Sequence, residues 1–253
     1  MKRVMKFEIT NFQDLNYMGH EAFNTLCANL SFAGGDIKKI MVTSCNPQDG
    51  KSFVSMNLMR SFSQMGLKVL LIDADIRASI LQKRYGIKID ESGYKGLTEY
   101  LAGRAKVEEI IAQTDIPNAD MILAGKTVNI SFPLINSGHL EELLDAVVNK
   151  YDIIVVDTPP IGAIIDAALI ASHCDGVLLV LRSNFTTQQE LKDAISQIER
   201  SGKPILGTVL NRFDTWKFGK KSESHKYYYS NYYYRDNEKK PDGKKKKKVK
   251  TEK

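Results

Sequence analysis

Near its amino end the chain reads Lys39-Ile-Met-Val-Thr-Ser-Cys-Asn-Pro-Gln-Asp-Gly-Lys-Ser52. The first six residues form an apolar run typical of a buried strand, and a helical pattern follows over residues 51–64. Gly-Lys-Ser at such a strand-to-helix turn is suited to cradle phosphate, because backbone N–H groups and the lysine face the phosphate oxygens while the hydroxyl ligates magnesium. The usual first glycine of this motif is absent, since Cys45 stands five positions before Gly50. Taken alone, the motif leaves a phosphate site and a plain turn as alternatives.

Apolar runs and helical patterns alternate through the rest of the chain. Further runs predict strands at residues 69–73, 121–123, 153–157, 176–181 and 205–210. Helical spacing of apolar residues predicts helices at 19–32, 51–64, 96–102, 139–149, 164–172 and 188–200. Several strand runs are continuously apolar, as expected of parallel strands covered on both faces. The alternation predicts an α/β fold with a doubly wound, mostly parallel sheet.

The sequence divides into three parts. Residues 1–35 hold an extended arm (1–18) and a first helix, residues 36–216 form the α/β domain, and residues 217–253 form a tail without apolar periodicity, which we expect to be disordered. The tail carries 14 Lys/Arg against 5 Asp/Glu, so the net charge of +6 belongs to it and not to the domain. Because acidic residues outnumber basic ones before the tail, we expect no nucleic-acid partner.

Cysteine content and hydropathy predict a cytoplasmic location. The three cysteines are scattered, which indicates a reducing compartment rather than a disulfide framework. No run of about 18 uncharged apolar residues, the length of a membrane-spanning helix, occurs in the sequence.

Acidic residues end two of the predicted strands. Asp73 and Asp75 close the run 69–73, and Asp157 closes the run 153–157. In open α/β sheets ligands lie beyond the carboxyl ends of the strands, so these carboxylates should converge on Lys51. Each aspartate taken alone is more often a helix or turn cap than a site residue. Together with Gly-Lys-Ser, the set favours a nucleotide site.

This set of motifs resembles the bacterial tyrosine kinases (BY-kinases) of the capsule and exopolysaccharide type, which are P-loop proteins. The likeness covers nearly the whole chain: the helix at 21–32, a Walker A loop at 44–52, a second acidic motif at 71–77, a Walker B segment at 157–160 with Asp166-Ala167, and a terminal tyrosine cluster.

The resemblance implies an ATP-dependent, Mg²⁺-dependent tyrosine autokinase and assigns roles to individual residues. The nucleotide would be bound by Pro47, Gln48, Asp49, Gly50, Lys51, Ser52, Phe53, Asn211 and Arg212. The catalytic residues would be Lys51, Asp73, Asp75 and Arg77, and the metal would be held by Ser52, Asp73 and Asp157. Which of Asp73 and Asp75 is the base stays open. For Asn211, an adenine contact and a simple turn role are both open.

Six tyrosines crowd into eight residues of the tail: Tyr227, Tyr228, Tyr229, Tyr232, Tyr233 and Tyr234. The alternatives are a disordered aromatic patch and a set of phosphoacceptors, and the absence of aliphatic neighbours favours the second. Phosphorylation adds about −1.5 to −2 charges per tyrosine, enough at full occupancy to reverse the charge of the tail. The lysine run at 244–248 is usually just a solvated charged segment; it would suit an anionic membrane surface, and a nucleic-acid or nuclear-import role would look the same from sequence.

The resemblance also implies partners. They are a transmembrane activator or adaptor of the polysaccharide co-polymerase type, which recruits the kinase to the inner face of the plasma membrane, and further copies of the chain. Two arginines that the family carries in its first helix are replaced by Asn24 and Cys27, which puts the ring form of self-association in doubt. Gln48 stands where the family has glycine, a departure that predicts backbone strain or crowding of the phosphates.

Two other functions stay open at this stage. One is a P-loop ATPase switch of the partition or cell-division type, but this class has an early second lysine near position 45 or 46 and lacks a tyrosine tail. The other is a weakly active scaffold that binds the adaptor, as Asn24, Cys27 and Gln48 suggest.

Overall fold

The computed structural model describes residues 5–34, 37–89 and 93–213. The predicted tail, with its tyrosines and lysines, lies outside these residues.

Within the described residues the chain forms a single mixed sheet with helices around it. The strands are β1 (Lys6–Ile9), β2 (Lys39–Ser44), β3 (Val69–Asp73), β4 (Ile87–Ile89), β5 (Ala112–Thr114), β6 (Ala119–Ile122), β7 (Ile153–Asp157), β8 (Gly176–Arg182) and β9 (Ile205–Asn211). The helices are α1 (Tyr17–Phe32), α2 (Lys51–Gln64), α3 (Leu81–Arg84), α4 (Leu97–Leu101), α5 (Val107–Ile110), α6 (Phe132–Ile135), α7 (His139–Val147), α8 (Asp166–Ser172) and α9 (Gln188–Arg200).

The strand order is β4-β1-β5-β6-β3-β7-β2-β8-β9. From β6 to β9 every neighbouring pair is parallel. Antiparallel pairs occur between β5 and β6 and between β1 and β4. The predicted α/β class with a mostly parallel sheet is confirmed.

The central strands are buried on both faces, and alternate residues serve two separate cores. Leu70 and Ile72 of β3 pack into the core that contains α7 to α9, whereas Val69 and Leu71 pack into the core that contains α1 and α2. All five residues of β3 are buried, as are all five of β7. A strand covered on both faces needs no polar alternation, which explains the continuously apolar runs of the sequence.

Within residues 5–18 the structure differs from the predicted extended arm. Residues 6–9 form β1, which pairs in parallel with β5 and antiparallel with β4, and α1 begins at Tyr17. The strand is short, but Phe7 and Ile9 alternate with exposed residues and both are buried. Burial of these two side chains ties the segment to the sheet, because each removes a large apolar surface from water.

Helix α1 is part of the same core. Phe23, Cys27 and Leu30 form its buried face, and Asn16 begins the helix by accepting a hydrogen bond from the Gly19 N–H over 2.9 Å. Residues 1–212 form one compact unit. The self-association role expected of residues 1–35 therefore belongs to a segment that is also structural, and it stays a prediction.

The structure adds short elements that the sequence patterns did not predict. They are the three-residue strands β4 and β5 and the four-residue helices α3, α5 and α6. Among the described residues, no helix has the length and apolar character needed to span a membrane.

Candidate nucleotide and phosphoryl-transfer site

The phosphate loop lies between β2 and α2 and is held in shape by its own polar groups. The Ser44 hydroxyl donates to the Asn46 carbonyl over 2.7 Å, and the Asn46 N–H donates to Asp49 Oδ2 over 2.9 Å. Asp49 is buried, which raises the pKa of its carboxyl. Its Oδ1 has no hydrogen-bond partner among the described residues. The Asp49 carboxylate thus stabilises the conformation of the loop from within.

Gly50 is the residue at which the loop turns into the helix. It has φ of 105° and immediately precedes Lys51, the first residue of α2. A side chain at this position would also collide with Asn211, because a Cβ on Gly50 would lie 1.9 Å from the Asn211 Nδ2. Glycine is therefore required here both for its backbone angle and for space.

Asn211 ends β9 and closes the loop from the other side. Its Nδ2 donates to the carbonyl oxygen of Asp49 over 2.8 Å, and its Oδ1 accepts from the Arg212 N–H over 2.9 Å. The structure thus gives Asn211 a contact with the phosphate loop, which the sequence did not predict. The adenine contact expected of Asn211 and the nucleotide-binding role expected of Arg212 stay predictions.

Gln48 has φ of 65°, in the left-handed region that favours glycine. This angle agrees with the strain predicted from the replacement of glycine. Pro47 and Gln48 are exposed on the loop. The Phe53 ring contacts the Phe23 ring of α1 with centroids 5.9 Å apart, so Phe53 links the nucleotide loop to the first helix.

Asp157 lies next to the loop at the end of β7. Its Oδ1 accepts a hydrogen bond from the Ser55 hydroxyl over 3.0 Å, and its carboxylate also interacts with the Ser52 hydroxyl and the Lys51 charge. Burial nevertheless raises the pKa of Asp157 to about 6. Lys51 is itself 92% buried, with a relative exposure of 8%. The structure therefore brings two predicted site residues, Lys51 and Ser52, to the carboxylate of a third, Asp157.

Asp73 is the register partner of Asp157 on the neighbouring strand β3. Its Oδ1 accepts from the Asp75 N–H over 3.3 Å, and its Oδ2 accepts a short hydrogen bond from the Ser79 hydroxyl. Burial, with the charges of Asp157 and Asp75 nearby, raises the pKa of Asp73 well above its usual range. Asp75 is half-buried and its Oδ1 accepts from the Ala78 N–H over 3.0 Å.

The Arg77 guanidinium lies near the carboxylate of Asp166. Its Nη1 lies 4.0 Å from Oδ2 of Asp166, the first residue of α8. The same Oδ2 accepts a short hydrogen bond from the Ser131 hydroxyl, while Oδ1 is buried with no partner among the described residues. Arg77 itself is exposed. Its contact with Asp166 connects Arg77 to the segment after β7, and its catalytic role stays a prediction.

The sequence did not assign roles to Ser55, Ser79 and Asp166. Ser55 follows Lys51 by four residues, so helical spacing places both on one side of α2. Asp166 was visible as part of the Walker B resemblance. Nothing in the sequence indicated Ser79, because only the turn after β3 brings its hydroxyl to the Asp73 carboxylate.

The donor set fits a magnesium ion that is bound mainly through a nucleotide. Among the described residues, no group of three or more His, Cys, Asp or Glu side chains is arranged to hold a metal ion by itself. Mg²⁺ usually takes one or two protein ligands and completes its shell with water and phosphate oxygens. Asp73 and Asp157 are buried neighbours of like charge, and a cation beside them would offset their repulsion.

Comparisons with known proteins agree with this geometry. A family model described as an AAA domain matches residues 37–207. Tyrosine-protein kinase CpsD of Streptococcus agalactiae is 36% identical over 214 residues, which cover 81% of this chain and 92% of that relative. The kinase domain of Escherichia coli tyrosine kinase ETK has a TM-score of 0.70 and 32% identity, with 78% of each chain covered.

A cell-division protein is also similar, at a lower level. The septum site-determining protein MinD of Pyrococcus horikoshii, solved with Mg-ADP, has a TM-score of 0.59 and 26% identity, over 70% of this chain and 71% of MinD. The kinase domain of ETK covers more of this chain, with a higher TM-score and a higher identity.

Proposed function

This chain belongs to the bacterial tyrosine-protein kinase family. We propose that it is an autokinase, which transfers the γ-phosphoryl group of ATP to tyrosine side chains of this same protein. The observation that carries the proposal is the interaction of Lys51 and Ser52 with the buried Asp157 carboxylate, beside which a second buried carboxylate, Asp73, lies. Asp157 contacts the phosphate loop, and its register partner Asp73 is the next carboxylate along the sheet. Phosphoryl transfer needs this combination of a phosphate cradle, a metal-compatible edge and a proton acceptor.

Lys51 and Ser52 would act on the donor side. The Lys51 ammonium stabilises negative charge on the β- and γ-phosphates, and the Ser52 hydroxyl with the carboxylates of Asp157 and Asp73 would hold Mg²⁺. The ion supplies charge neutralisation of the phosphate oxygens when it is bound. Ser55 keeps the Asp157 carboxylate in place through its 3.0 Å hydrogen bond.

Asp73 and Asp75 would act on the acceptor side. A tyrosine hydroxyl has a pKa near 10, so a carboxylate takes its proton as the bond to phosphorus forms and not before. Asp73 is buried and held by Ser79, whereas Asp75 is half-buried at the turn. We propose that the two share metal binding and proton acceptance, and the assignment of the base to one of them requires kinetics.

The family also supports a cellular role. We propose that the kinase regulates the synthesis or export of capsular or extracellular polysaccharide through a transmembrane adaptor, which recruits it from the cytoplasm to the inner face of the plasma membrane. The likeness to CpsD supports this role. The tail tyrosines Tyr227 to Tyr234 would be the phosphoacceptors.

Two alternatives are less well supported. An ATPase switch of the partition or cell-division type is disfavoured, because Cys45 and Asn46 occupy the loop positions where that class has its second lysine. The lower similarity to MinD agrees with this. A weakly active scaffold is suggested by Asn24 and Cys27 in α1 and by Gln48, whose φ of 65° is a structural departure in the loop.

Purified protein incubated with Mg²⁺–ATP and probed for phosphotyrosine tests the function. We expect labelling of the parent and a loss of about 100-fold or more in Lys51→Met, since charge-stabilising contacts to a transition state are worth about that much. Lys192→Met, on the exposed face of α9, is the matched control. ATP hydrolysis by the parent without any phosphotyrosine would favour the ATPase switch, and nucleotide binding without turnover would favour the scaffold.

A further inference from the structure

We propose that a basic cavity beside the acceptor-side carboxylates binds phosphotyrosine, so that a tail already phosphorylated is held for further phosphorylation. The ligand is a phosphotyrosyl residue from the segment 227–234 of a second copy of this chain. The inference rests on the proposed kinase function for the origin of the phosphotyrosine. The cavity itself is a feature of the described residues.

The cavity has a volume of about 570 Å³, within the range of sites that take small organic ligands. Ser79 lines it and donates a hydrogen bond to Asp73, so one wall of the cavity is one side chain away from the candidate base. The segment Leu123 to Gly125 also lines it and follows β6, the strand next to β3. No residue of the phosphate loop lines the cavity, so it is separate from the nucleotide cradle.

The lining is suited to a phosphate ester. Among the described residues that line it, the charged side chains are Lys83 and Lys88, and the Thr127 hydroxyl stands with them. The hydroxyls of Thr10 and Ser79 also line it, but they already donate to the Gly86 carbonyl and to Asp73. Lysines and hydroxyls are common ligands of phosphate oxygens, whereas a carboxylate in the wall would repel them. Lys88 forms an ion pair with Glu8 over 3.2 Å, with both side chains more than 60% exposed. Such a surface pair contributes at most about 1 kcal/mol and yields readily to a dianion.

Charge identifies the form of the tail that the cavity selects. Without phosphate the tail carries 14 basic and 5 acidic residues, so the two lysines repel it. Each phosphotyrosine brings about −1.5 to −2 charges and three acceptor oxygens, so it presents a local negative group to the two lysines while the tail as a whole stays positive.

The spacing of the tyrosines suits simultaneous occupation of the cavity and the active site. They occur as two triplets, at 227–229 and 232–234. In an extended segment, residues two apart point to the same side at a distance of about 7 Å. One phosphotyrosine in the cavity therefore presents a neighbouring tyrosine toward Asp73, across the width of the Ser79 side chain.

Peptide binding tests the inference without requiring kinase activity. A fluorescent peptide of residues 225–235 is prepared with and without phosphate on Tyr229, and its affinity for the full chain is measured after phosphatase treatment and without nucleotide. We expect the phosphopeptide to bind at least about tenfold more tightly than the plain peptide. Lys83→Gln with Lys88→Gln should weaken phosphopeptide binding about tenfold, the effect of losing two partly exposed charge contacts.

The matched control is Lys150→Gln with Lys192→Gln, which removes the same net charge from exposed sites outside the cavity. Equal affinity for the two peptides, or equal weakening by the two double variants, would overturn the proposal. So would competition by inorganic phosphate as strong as that by phenyl phosphate, because the cavity would then bind any anion.

A second readout follows the phosphorylation pattern in Mg²⁺–ATP by mass spectrometry of intact protein. The parent should pass quickly from unmodified to multiply phosphorylated chains, whereas the Lys83/Lys88 double variant should accumulate singly phosphorylated chains. Identical distributions would overturn the proposal. A parent that is never phosphorylated would contradict the kinase function, and the peptide measurements would still decide whether the cavity binds phosphotyrosine.

Discussion

Asp73 and Asp157 are register partners on the adjacent parallel strands β3 and β7, and both carboxyl groups are buried. Few arrangements place two acids so close in a protein interior, because each charge raises the pKa of the other and burial raises both. The pKa of Asp157 is raised to about 6 and that of Asp73 well above its usual range. Holding these charges in the interior costs stability, and under the proposed function a bound cation would offset that cost.

The nucleotide-free protein should therefore be destabilised by its own acids at neutral pH. An acid with a raised pKa binds its proton more tightly in the folded state, so stability falls as pH rises from about 4 through the folded pKa. We expect Asp73→Asn to raise the free energy of unfolding by about 1–2 kcal/mol at pH 7.5, and the gain should shrink toward pH 4.

Thermal unfolding of the parent and Asp73→Asn across this pH range measures the effect. Asp145→Asn, on the exposed side of α7, is the control and should show no gain. An Asp73→Asn variant that is less stable than the parent at pH 7.5 would contradict the argument, since the carboxylate would then be a net stabilising group.

The central part of the fold followed from sequence because its signal is local. The strands β2, β3, β7, β8 and β9 each contain an apolar run, and a helix of recognisable spacing lies between most of them. The strands β1, β4 and β5 have four or fewer residues, too few for periodicity to distinguish them from loops. Their pairing depends on contacts between distant segments, such as Ile9 with Ile87.

The site was predictable to the same extent. Lys51, Asp73 and Asp157 were expected to converge because parallel strands end at one edge of the sheet. The hydrogen bond from Ser55 to Asp157 joins residues 102 positions apart, and no pattern in the sequence indicates it. The same holds for Asn211 and the Asp49 carbonyl, and for Arg77 and Asp166. The motifs thus indicated which residues lie at the same edge of the sheet, whereas the individual hydrogen bonds and ion pairs depend on the folded structure.

Gln48 holds its loop in a conformation that a side chain disfavours. Its φ of 65° costs about 1 kcal/mol relative to glycine, which adopts this angle without a clash. We expect Gln48→Gly to raise the free energy of unfolding by up to about 1 kcal/mol. Gln48→Ala keeps the Cβ and should give no gain. Urea unfolding of both variants separates the backbone effect from loss of the longer side chain, and equal stability of the two would exclude strain at this position.

Asn24 and Cys27 differ in what an arginine would do at each position. Cys27 is fully buried on the core face of α1, while Asn24 is half-buried and contacts Glu21 over 3.4 Å. Cys27→Arg would bury a guanidinium group and should lower the free energy of unfolding by about 3–5 kcal/mol. Asn24→Arg should change it by less than about 0.5 kcal/mol.

Thermal unfolding checks the stability difference, and sedimentation of Asn24→Arg in Mg²⁺–ATP checks whether this helix face supports self-association. A Cys27→Arg protein as stable as the parent would show that α1 detaches from the core without cost. An unchanged mass of Asn24→Arg would leave the helix a structural role only.

Tail phosphorylation should occur between subunits. Strand β9 ends at Asn211, whose side chain contacts the phosphate loop, so the described residues that precede the tail end beside this loop. About 15 residues separate this point from the first tail tyrosine, and a coil of that length has an r.m.s. reach of roughly 20 Å. Such a segment reaches a neighbouring subunit more easily than it turns back on its own site, because a sharp reversal over a short linker is sterically restricted.

The test mixes a full-length Lys51→Met protein with an active protein truncated after Trp216. Phosphotyrosine should appear on the inactive partner at a rate that rises with protein concentration, with the Lys51→Met protein alone as the control. Labelling that requires site and tail in one chain, at a rate independent of concentration, would show that the reaction is intramolecular.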